Sequence, residues 1–193
     1  MKRVTVFCAS SIGEEKVFET QAFLLGQTLA DLKIGLVYGG ANIGLMGAVA
    51  DGALSKGGEV IGVLPNFLKE KEIAHQKLTE LIIVETMHER KTKMNELSDG
   101  VIALPGGFGT LEELFEMLTW GQLGLHRKPI AVLNIGGFYN HLIDLIQIMV
   151  EKRLLNEVNQ KMLIVSNNIN DLLEQMKNYD APKVGKWLNE KSI

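Results

Sequence analysis

The sequence predicts an α/β fold in which a doubly wound, Rossmann-like parallel sheet of about seven strands carries helices on both faces. Short apolar runs alternate along the chain with segments whose apolar residues recur at helical spacing. The runs VIALP and ELIIVET are continuously apolar, which is typical of parallel strands covered on both faces. Glycine-rich turns follow two of the strands, and right-handed crossover helices are expected to join them.

The first half of the chain contains three predicted strands and two predicted helices. Arg3–Cys8 is β-branched and apolar, and Glu15–Leu32 has the spacing of an amphipathic helix. The remaining elements of this half are a strand at Leu36–Tyr38, a helix from GGANIGLMG to about Lys56, and a strand at Glu59–Leu64 that Pro65 stops. The polar stretch Asn66–Thr79 is predicted to be irregular.

The second half repeats the alternation of strand and helix four times. The predicted elements are strand Glu80–Thr86, helix Met87–Leu97, strand Gly100–Leu104, helix Thr110–Leu123, strand Ile130–Asn134, helix Phe138–Leu155, strand Met162–Ser166 and helix Asn170–Tyr179. No linker or repeat interrupts them, so residues 1–180 are expected to form one domain and residues 181–193 a peripheral tail.

Composition excludes several classes of function. The net charge of −3 argues against a nucleic-acid-binding surface, and no segment approaches 18 consecutive apolar residues, so no membrane span is expected. The single cysteine, Cys8, rules out an internal disulfide and suits the reducing cytosol, which predicts a cytoplasmic protein. The four histidines are scattered without metal-ligand spacing, so no metal site is predicted.

Two glycine-rich turns, YGGANIGLMG and PGGFGT, lie where a strand passes into a helix. Their glycines could simply serve the geometry of the turn, because glycine adopts positive φ at little cost. Both turns should, however, face one crevice at the carboxyl edge of the sheet, where bare amides and a helix N-terminus favour an anion. Gly39 and Gly40 are therefore candidate phosphate contacts. Neither turn is a Walker A loop, and the first follows the second strand rather than the first, so no nicotinamide cofactor is expected.

Glu113 has two open interpretations. With Thr110 it matches a capping box, in which the glutamate reaches back to the first turn of the helix. Alternatively, a carboxylate beside a phosphate-binding turn suits a reaction whose transition state develops positive charge, such as cleavage at a ribose C1′. Arg90, Lys91 and Lys93 follow the fourth strand at the same edge and could bind the anion, or could lie on a solvated helix face.

The motifs PGGFGTLEE and MHERK resemble the LOG family of cytokinin riboside 5′-monophosphate phosphoribohydrolases, whose older name is lysine decarboxylase. VFCASS, YGGANIGLMGAVADGA, VIGVLP and LTWGQLGLHRKPIAVLN extend the similarity through nearly the whole chain. The resemblance implies a homodimer without a cofactor that acts on a nucleoside 5′-monophosphate. It implies that Arg90 and Glu113 are the catalytic pair.

The resemblance also implies a set of residues that contact the substrate. Gly107–Thr110 would cradle the phosphate, and the full set is Glu72, Lys91, Gly106, Gly107, Phe108, Gly109, Thr110, Leu111, Glu112 and Thr119. The implied reaction releases an adenine-type base and ribose 5-phosphate from an N6-substituted AMP. Arg90 would orient Glu113 and the ribosyl group, while Glu113 would stabilise the oxocarbenium character or position water.

Three other functions remain open from the sequence. A pyridoxal-phosphate decarboxylase would need a desolvated lysine, which no motif marks. A nucleotide-binding sensor or carrier could use the same fold without turnover. An AMP nucleosidase-like enzyme would share the chemistry and lack the preference for an N6 substituent.

Overall fold

The strands form one seven-stranded parallel sheet in the order β4-β3-β2-β1-β5-β6-β7. The computed structural model describes residues 1–68 and 74–182. The strands are β1 Arg3–Phe7, β2 Gly35–Tyr38, β3 Val60–Pro65, β4 Glu80–Val84, β5 Gly100–Ala103, β6 Ile130–Leu133 and β7 Leu163–Ser166. The doubly wound prediction is confirmed, and the chain reverses direction across the sheet between β1 and β5.

Seven α-helices connect and cover the strands in the described part of the chain. They are α1 Lys16–Asp31, α2 Gly44–Ser55, α3 Met87–Leu97, α4 Phe108–Gln122, α5 Asn140–Glu151, α6 Glu157–Gln160 and α7 Ile169–Lys177. Side chains of α1, α2 and α7 fill the core on one face of the sheet, and side chains of α3 and α4 fill the other. No helix of the described residues is long and apolar enough to cross a membrane.

Two predicted elements differ from the structure. The helix expected at Phe138–Leu155 is shorter, α5 at Asn140–Glu151, and a 3-10 turn at Ile135–Gly137 precedes it. The short α6 lies beyond it, at Glu157–Gln160, where no helix was expected. Strand β4 was expected to be covered on both faces, but it lies at the sheet edge, where Ile83 is 39% exposed. An apolar run therefore indicates a strand but not its place in the sheet.

Of the two open interpretations of Glu113, the capping box with Thr110 is wrong. Helix α4 begins at Phe108, and its N-cap is Gly107, which makes no side-chain cap hydrogen bond. The Thr110 side chain is buried and packs back on the turn, 2.1 Å from the position that a Cβ on Gly106 would take. Glu113 is consequently one turn inside the helix, which removes the structural explanation for its carboxylate.

Candidate functional site

A cleft of about 360 Å³ opens where the order of the strands reverses, at the carboxyl ends of β1 and β5. Ligands of open α/β sheets bind at this place. The walls come from the loops after β1, β2 and β5 and from one side of α3. The lining residues are Val6, Phe7, Cys8, Ala9, Ser10, Ser11, Gly39, Met46, Met87, Arg90, Met94, Gly107, Phe108, Gly109, Thr110, Glu112 and Glu113.

The turn after β5 presents uncapped backbone amides to this cleft. The amides of the first helical turn, Phe108 to Thr110, have no partner within a helix that begins at Phe108. At Gly107 and Gly109 a Cβ would meet no atom within 4 Å among the described residues, so open space lies above both glycines. An anion can therefore approach these amides closely, and the positive end of the α4 dipole favours it.

The two glycines after β2 have different surroundings. A Cβ on Gly39 would lie 2.1 Å from Nη2 of Arg90, so the bare backbone makes room for the guanidinium. Gly40 has a φ of +84° and packs against Gly62 and Leu81, away from the residues that line the cleft. The structure thus brings Gly39 into the cleft as a wall for Arg90.

Arg90 projects from α3 into the cleft and is only 7% exposed. Its Nη1 lies 3.9 Å from the sulfur of Met87, and its Nε has no hydrogen-bond partner among the described residues. A buried guanidinium with unused donors is suited to bind an anionic or hydroxylated ligand.

Glu113 lies on α4 and is 9% exposed. Burial raises the pKa of its carboxyl from 4.5 to about 7, although the nearby positive charge of Arg90 lowers it. Within the described residues no ion pair shorter than 4.0 Å joins Glu113 to Arg90. The structure therefore contains no direct contact through which Arg90 could orient Glu113, although both residues line the cleft.

Lys91 is held by α4 rather than pointing at the cleft. Its Nζ lies 2.5 Å from Oε1 of Glu112 and 3.0 Å from Oε1 of Glu116. Burial lowers the pKa of Lys91, but the hydrogen bonds and charges of the two carboxylates outweigh burial and raise it. This cluster links α3 to α4. Lys91 directly follows Arg90 in the chain, and Glu112 directly precedes Glu113.

The other predicted contacts are spread over the fold. The Thr119 hydroxyl donates to the carbonyl of Phe115 (2.7 Å) and lies on α4 beyond the cleft. Leu111 is half-buried and packs against the core. Glu72 lies outside the described residues. The predicted residues that the cleft brings together are Gly39, Arg90, Gly107, Phe108, Gly109, Thr110, Glu112 and Glu113.

Sequence reasoning missed the contribution of the loop after β1. Cys8, Ala9, Ser10 and Ser11 line the cleft, and the amide of Ala9 donates to the carbonyl of Pro105 (3.2 Å), which joins this loop to the turn after β5. Burial raises the pKa of the Cys8 thiol far above its ordinary range, so the thiol is a neutral part of the floor. The order of the strands would have identified the loop, but sequence periodicity does not reveal that order.

The described lining of the cleft contains neither a cluster of metal-binding side chains nor a lysine. Within residues 1–68 and 74–182, no three His, Cys, Asp or Glu side chains are grouped to hold a metal ion. No lysine is among the described residues that line the cleft. A pyridoxal-phosphate reaction would need one there.

Comparison with known proteins finds similarity over most of the chain. The family model described as "possible lysine decarboxylase" matches residues 46–176. Cytokinin riboside 5′-monophosphate phosphoribohydrolase LOG7 of Arabidopsis thaliana is 41% identical over 179 residues, which cover 93% of this chain and 82% of LOG7. Cytokinin riboside 5′-monophosphate phosphoribohydrolase LOG5 of Arabidopsis thaliana is 40% identical over 197 residues, which cover 100% of this chain and 86% of LOG5.

Among solved structures, the molybdenum cofactor carrier protein MCP of Chlamydomonas reinhardtii is similar with a TM-score of 0.68. The match covers 91% of this chain and 96% of that one at 18% sequence identity. A similarity at this level of identity supports the fold alone.

Proposed function

The chain belongs to the LOG family, and from that premise we propose that it is a cytokinin riboside 5′-monophosphate phosphoribohydrolase. Such an enzyme hydrolyses the N-glycosidic bond of an N6-substituted AMP and releases the free base and ribose 5-phosphate. The observation that carries the proposal is the buried Glu113 carboxylate, which faces the cleft without an ion pair beside a helix terminus suited to phosphate.

The cleft supports a mechanism in which three groups act on one nucleotide. The 5′-phosphate binds the amides that begin α4, above Gly107 and Gly109. In this proposal the ribose lies between Arg90 and Glu113, which both line the cleft. As the C1′–N9 bond breaks, its electron pair leaves with the base, and the Glu113 carboxylate stabilises the positive charge that develops on the ribosyl group.

Hydrolysis is completed by water. The hydroxyl of the water adds to C1′, and its remaining proton balances the negative charge of the departing base. Arg90 acts as a fixed positive charge that holds the ribosyl phosphate, because a guanidinium does not give up its proton in a protein. The role of Arg90 is therefore binding and orientation of the ligand.

Release of free base tests the proposal directly. Purified protein is incubated with isopentenyladenosine 5′-monophosphate, with AMP and with the dephosphorylated riboside, and free base is followed by chromatography. We expect base from the monophosphates and none from the riboside, because the riboside lacks the group that binds the α4 amides. Binding of the nucleotides without any release of base would contradict the proposal and favour a carrier.

The ratio of the two monophosphate rates decides the substrate class. A clear preference for the N6-substituted nucleotide supports the cytokinin assignment. Equal rates would favour an AMP nucleosidase-like enzyme with the same catalytic groups.

We expect the Lys91→Met substitution to shift the pH dependence of kcat/KM upwards. Activity should rise with pH through the pKa of Glu113, near 7, because the carboxylate is the active form. The charge of Lys91 lowers that pKa and the charge of Glu112 raises it. Removing Lys91 should therefore move the midpoint of the acid limb above that of the wild type.

The Glu112→Gln variant is the matched test of the direction of this shift. It should move the same midpoint downwards, because the charge of Glu112 raises the pKa of Glu113. Full pH profiles of the three proteins measure both shifts. Identical midpoints would show that Glu113 does not govern the acid limb.

We further propose that the protein is a homodimer that works in the cytoplasm. Apolar side chains are exposed on α5, where Leu145 is 47% and Ile148 is 48% exposed, and Phe108 at the cleft is 93% exposed. A surface of this kind suits contact with a second copy of the chain. Light scattering should give twice the mass of one chain, and the mass of a monomer would contradict the homodimer.

Cell fractionation should place the protein in the soluble fraction. Recovery in the membrane fraction would contradict the cytoplasmic location.

A further inference from the structure

We propose that His75 and Asp51 form a positioning pair that holds the turn after β2 against Arg90. The inference rests on the proposed function, because its kinetic test uses base release. The pair lies outside the residues that line the cleft, so its effect on the reaction would pass through the backbone of Gly39 and Gly40.

His75 ties together three segments of the chain. Its backbone N–H donates to the carbonyl of Gly40 (3.0 Å), beside an antiparallel bridge between Ala41 and Ala74. Its Nδ1 accepts a hydrogen bond from the N–H of Lys77 (3.2 Å). Because Nδ1 is the acceptor, the ring hydrogen of the neutral tautomer lies on Nε2, which donates to Oδ1 of Asp51 on α2 (3.1 Å).

The turn that His75 holds is the wall on which the Arg90 guanidinium rests. Nη2 of Arg90 is so close to Gly39 that a Cβ there would lie only 2.1 Å away. Among the described residues the Nε of Arg90 has no hydrogen-bond partner, and Nη1 makes a weak contact of 3.9 Å with the Met87 sulfur. Close contact with the Gly39 backbone consequently sets the position of the guanidinium, and a movement of the turn would move the charge.

The turn cannot hold this position through its own side chains. Residues 39 and 40 are both glycine, and Gly40 has a φ of +84°, so the local chain has much conformational freedom. His75 is 5% exposed and restricts this freedom through its hydrogen bond to the carbonyl of Gly40. Asp51 on α2 orients the His75 ring. The arrangement is that of a supporting shell that keeps a functional group in place.

A double-mutant cycle between His75 and Arg90 tests the proposal. We expect His75→Ala to lower kcat about 10- to 100-fold with little change in KM, because a displacement of about 1 Å in a positioned group costs roughly this much. In an Arg90→Lys background, where the guanidinium is gone, the same substitution should change kcat less than about two-fold. Equal losses in both backgrounds would mean that His75 supports the fold in general and would overturn the proposal.

Conservative variants separate hydrogen bonding from bulk. Asp51→Ala should reproduce the loss, whereas Asp51→Asn should largely restore kcat, because its amide oxygen still accepts from Nε2. His141→Ala is the control, since His141 is fully exposed and faces Asp144 at 3.9 Å on α5. Failure of Asp51→Asn to exceed Asp51→Ala would count against the pair.

A spectroscopic readout makes the test independent of turnover. The Nε–H resonance of Arg90 in a ¹⁵N-labelled protein is assigned by its loss in Arg90→Lys. It should shift in His75→Ala and Asp51→Ala and stay unchanged in His141→Ala. A resonance that does not shift in His75→Ala and Asp51→Ala would overturn the positioning pair, whether or not the wild type releases base. Failure of the wild type to release base would contradict only the proposed function.

Discussion

Replacement of Glu113 by Gln should reduce kcat for base release by at least about 10³-fold. The amide keeps the shape of the side chain and loses the negative charge that stabilises the ribosyl cation. Affinity for the nucleotide should stay within a few-fold of the wild type, because the phosphate binds backbone amides at the start of α4. Single-turnover kinetics and calorimetric binding of AMP measure the two quantities separately.

The same variant should be more stable than the wild type at pH 8 and not at pH 4. The pKa of Glu113 is about 7 in the folded protein and near 4.5 when unfolded, so the folded state holds the proton more tightly. Between these values, rising pH progressively costs the wild type up to about 3 kcal/mol of unfolding free energy. Gln does not titrate and avoids this cost.

Thermal unfolding of both proteins across this pH range measures the difference. Glu96→Gln is the matched control, since it makes the same substitution at a carboxylate that is 58% exposed on α3. Wild-type turnover in the Glu113→Gln protein would show that the charge of Glu113 is not needed for the reaction. A stability difference that is independent of pH would mean that its carboxyl is not buried in solution.

The fold class could be predicted because its signals are local. Continuous apolar runs mark the parallel strands, and Gly-rich turns mark where strands pass into helices. The neighbours of each strand are a property of the whole sheet. For that reason β4 was expected to be buried although it lies at the edge, and the loop after β1 was not recognised as a wall of the cleft.

The site was predicted in part for a similar reason. Arg90, Glu113 and the turn at Gly107 could be named because they occur in dense motifs beside strand ends. The partner of a side chain does not follow from such a motif. Lys91 was expected at the substrate, but two carboxylates of α4 bind it. Thr110 matched a helix cap in one of the two open interpretations, but the helix begins two residues earlier.

Glycines in the two glycine-rich turns have different roles, which leads to a contrast between two alanine substitutions. Gly107→Ala should leave the unfolding free energy within about 1 kcal/mol of the wild type, because its Cβ would meet no atom within 4 Å among the described residues. The new methyl group would nevertheless occupy the space through which a phosphate reaches the α4 amides. We therefore expect KM for the monophosphates to rise at least about 10-fold.

Gly44→Ala is the opposite case. Gly44 has a φ of +59°, and a Cβ there would lie 2.2 Å from the backbone carbon of Ser10, so α2 could not remain against the loop after β1. We expect a loss of about 2–4 kcal/mol in unfolding free energy. Urea unfolding and steady-state kinetics of both variants measure the contrast.

The contrast holds only if the open space above Gly107 is the site of the phosphate. If Gly107→Ala is stable and keeps the wild-type KM, the phosphate binds elsewhere in the cleft. The ribose would then not lie between Arg90 and Glu113. A Gly107→Ala protein as unstable as Gly44→Ala would instead make Gly107 a requirement of the turn. Stability together with a raised KM is the one result that requires a ligand above the glycine, because in the described structure nothing else would contact the added methyl group.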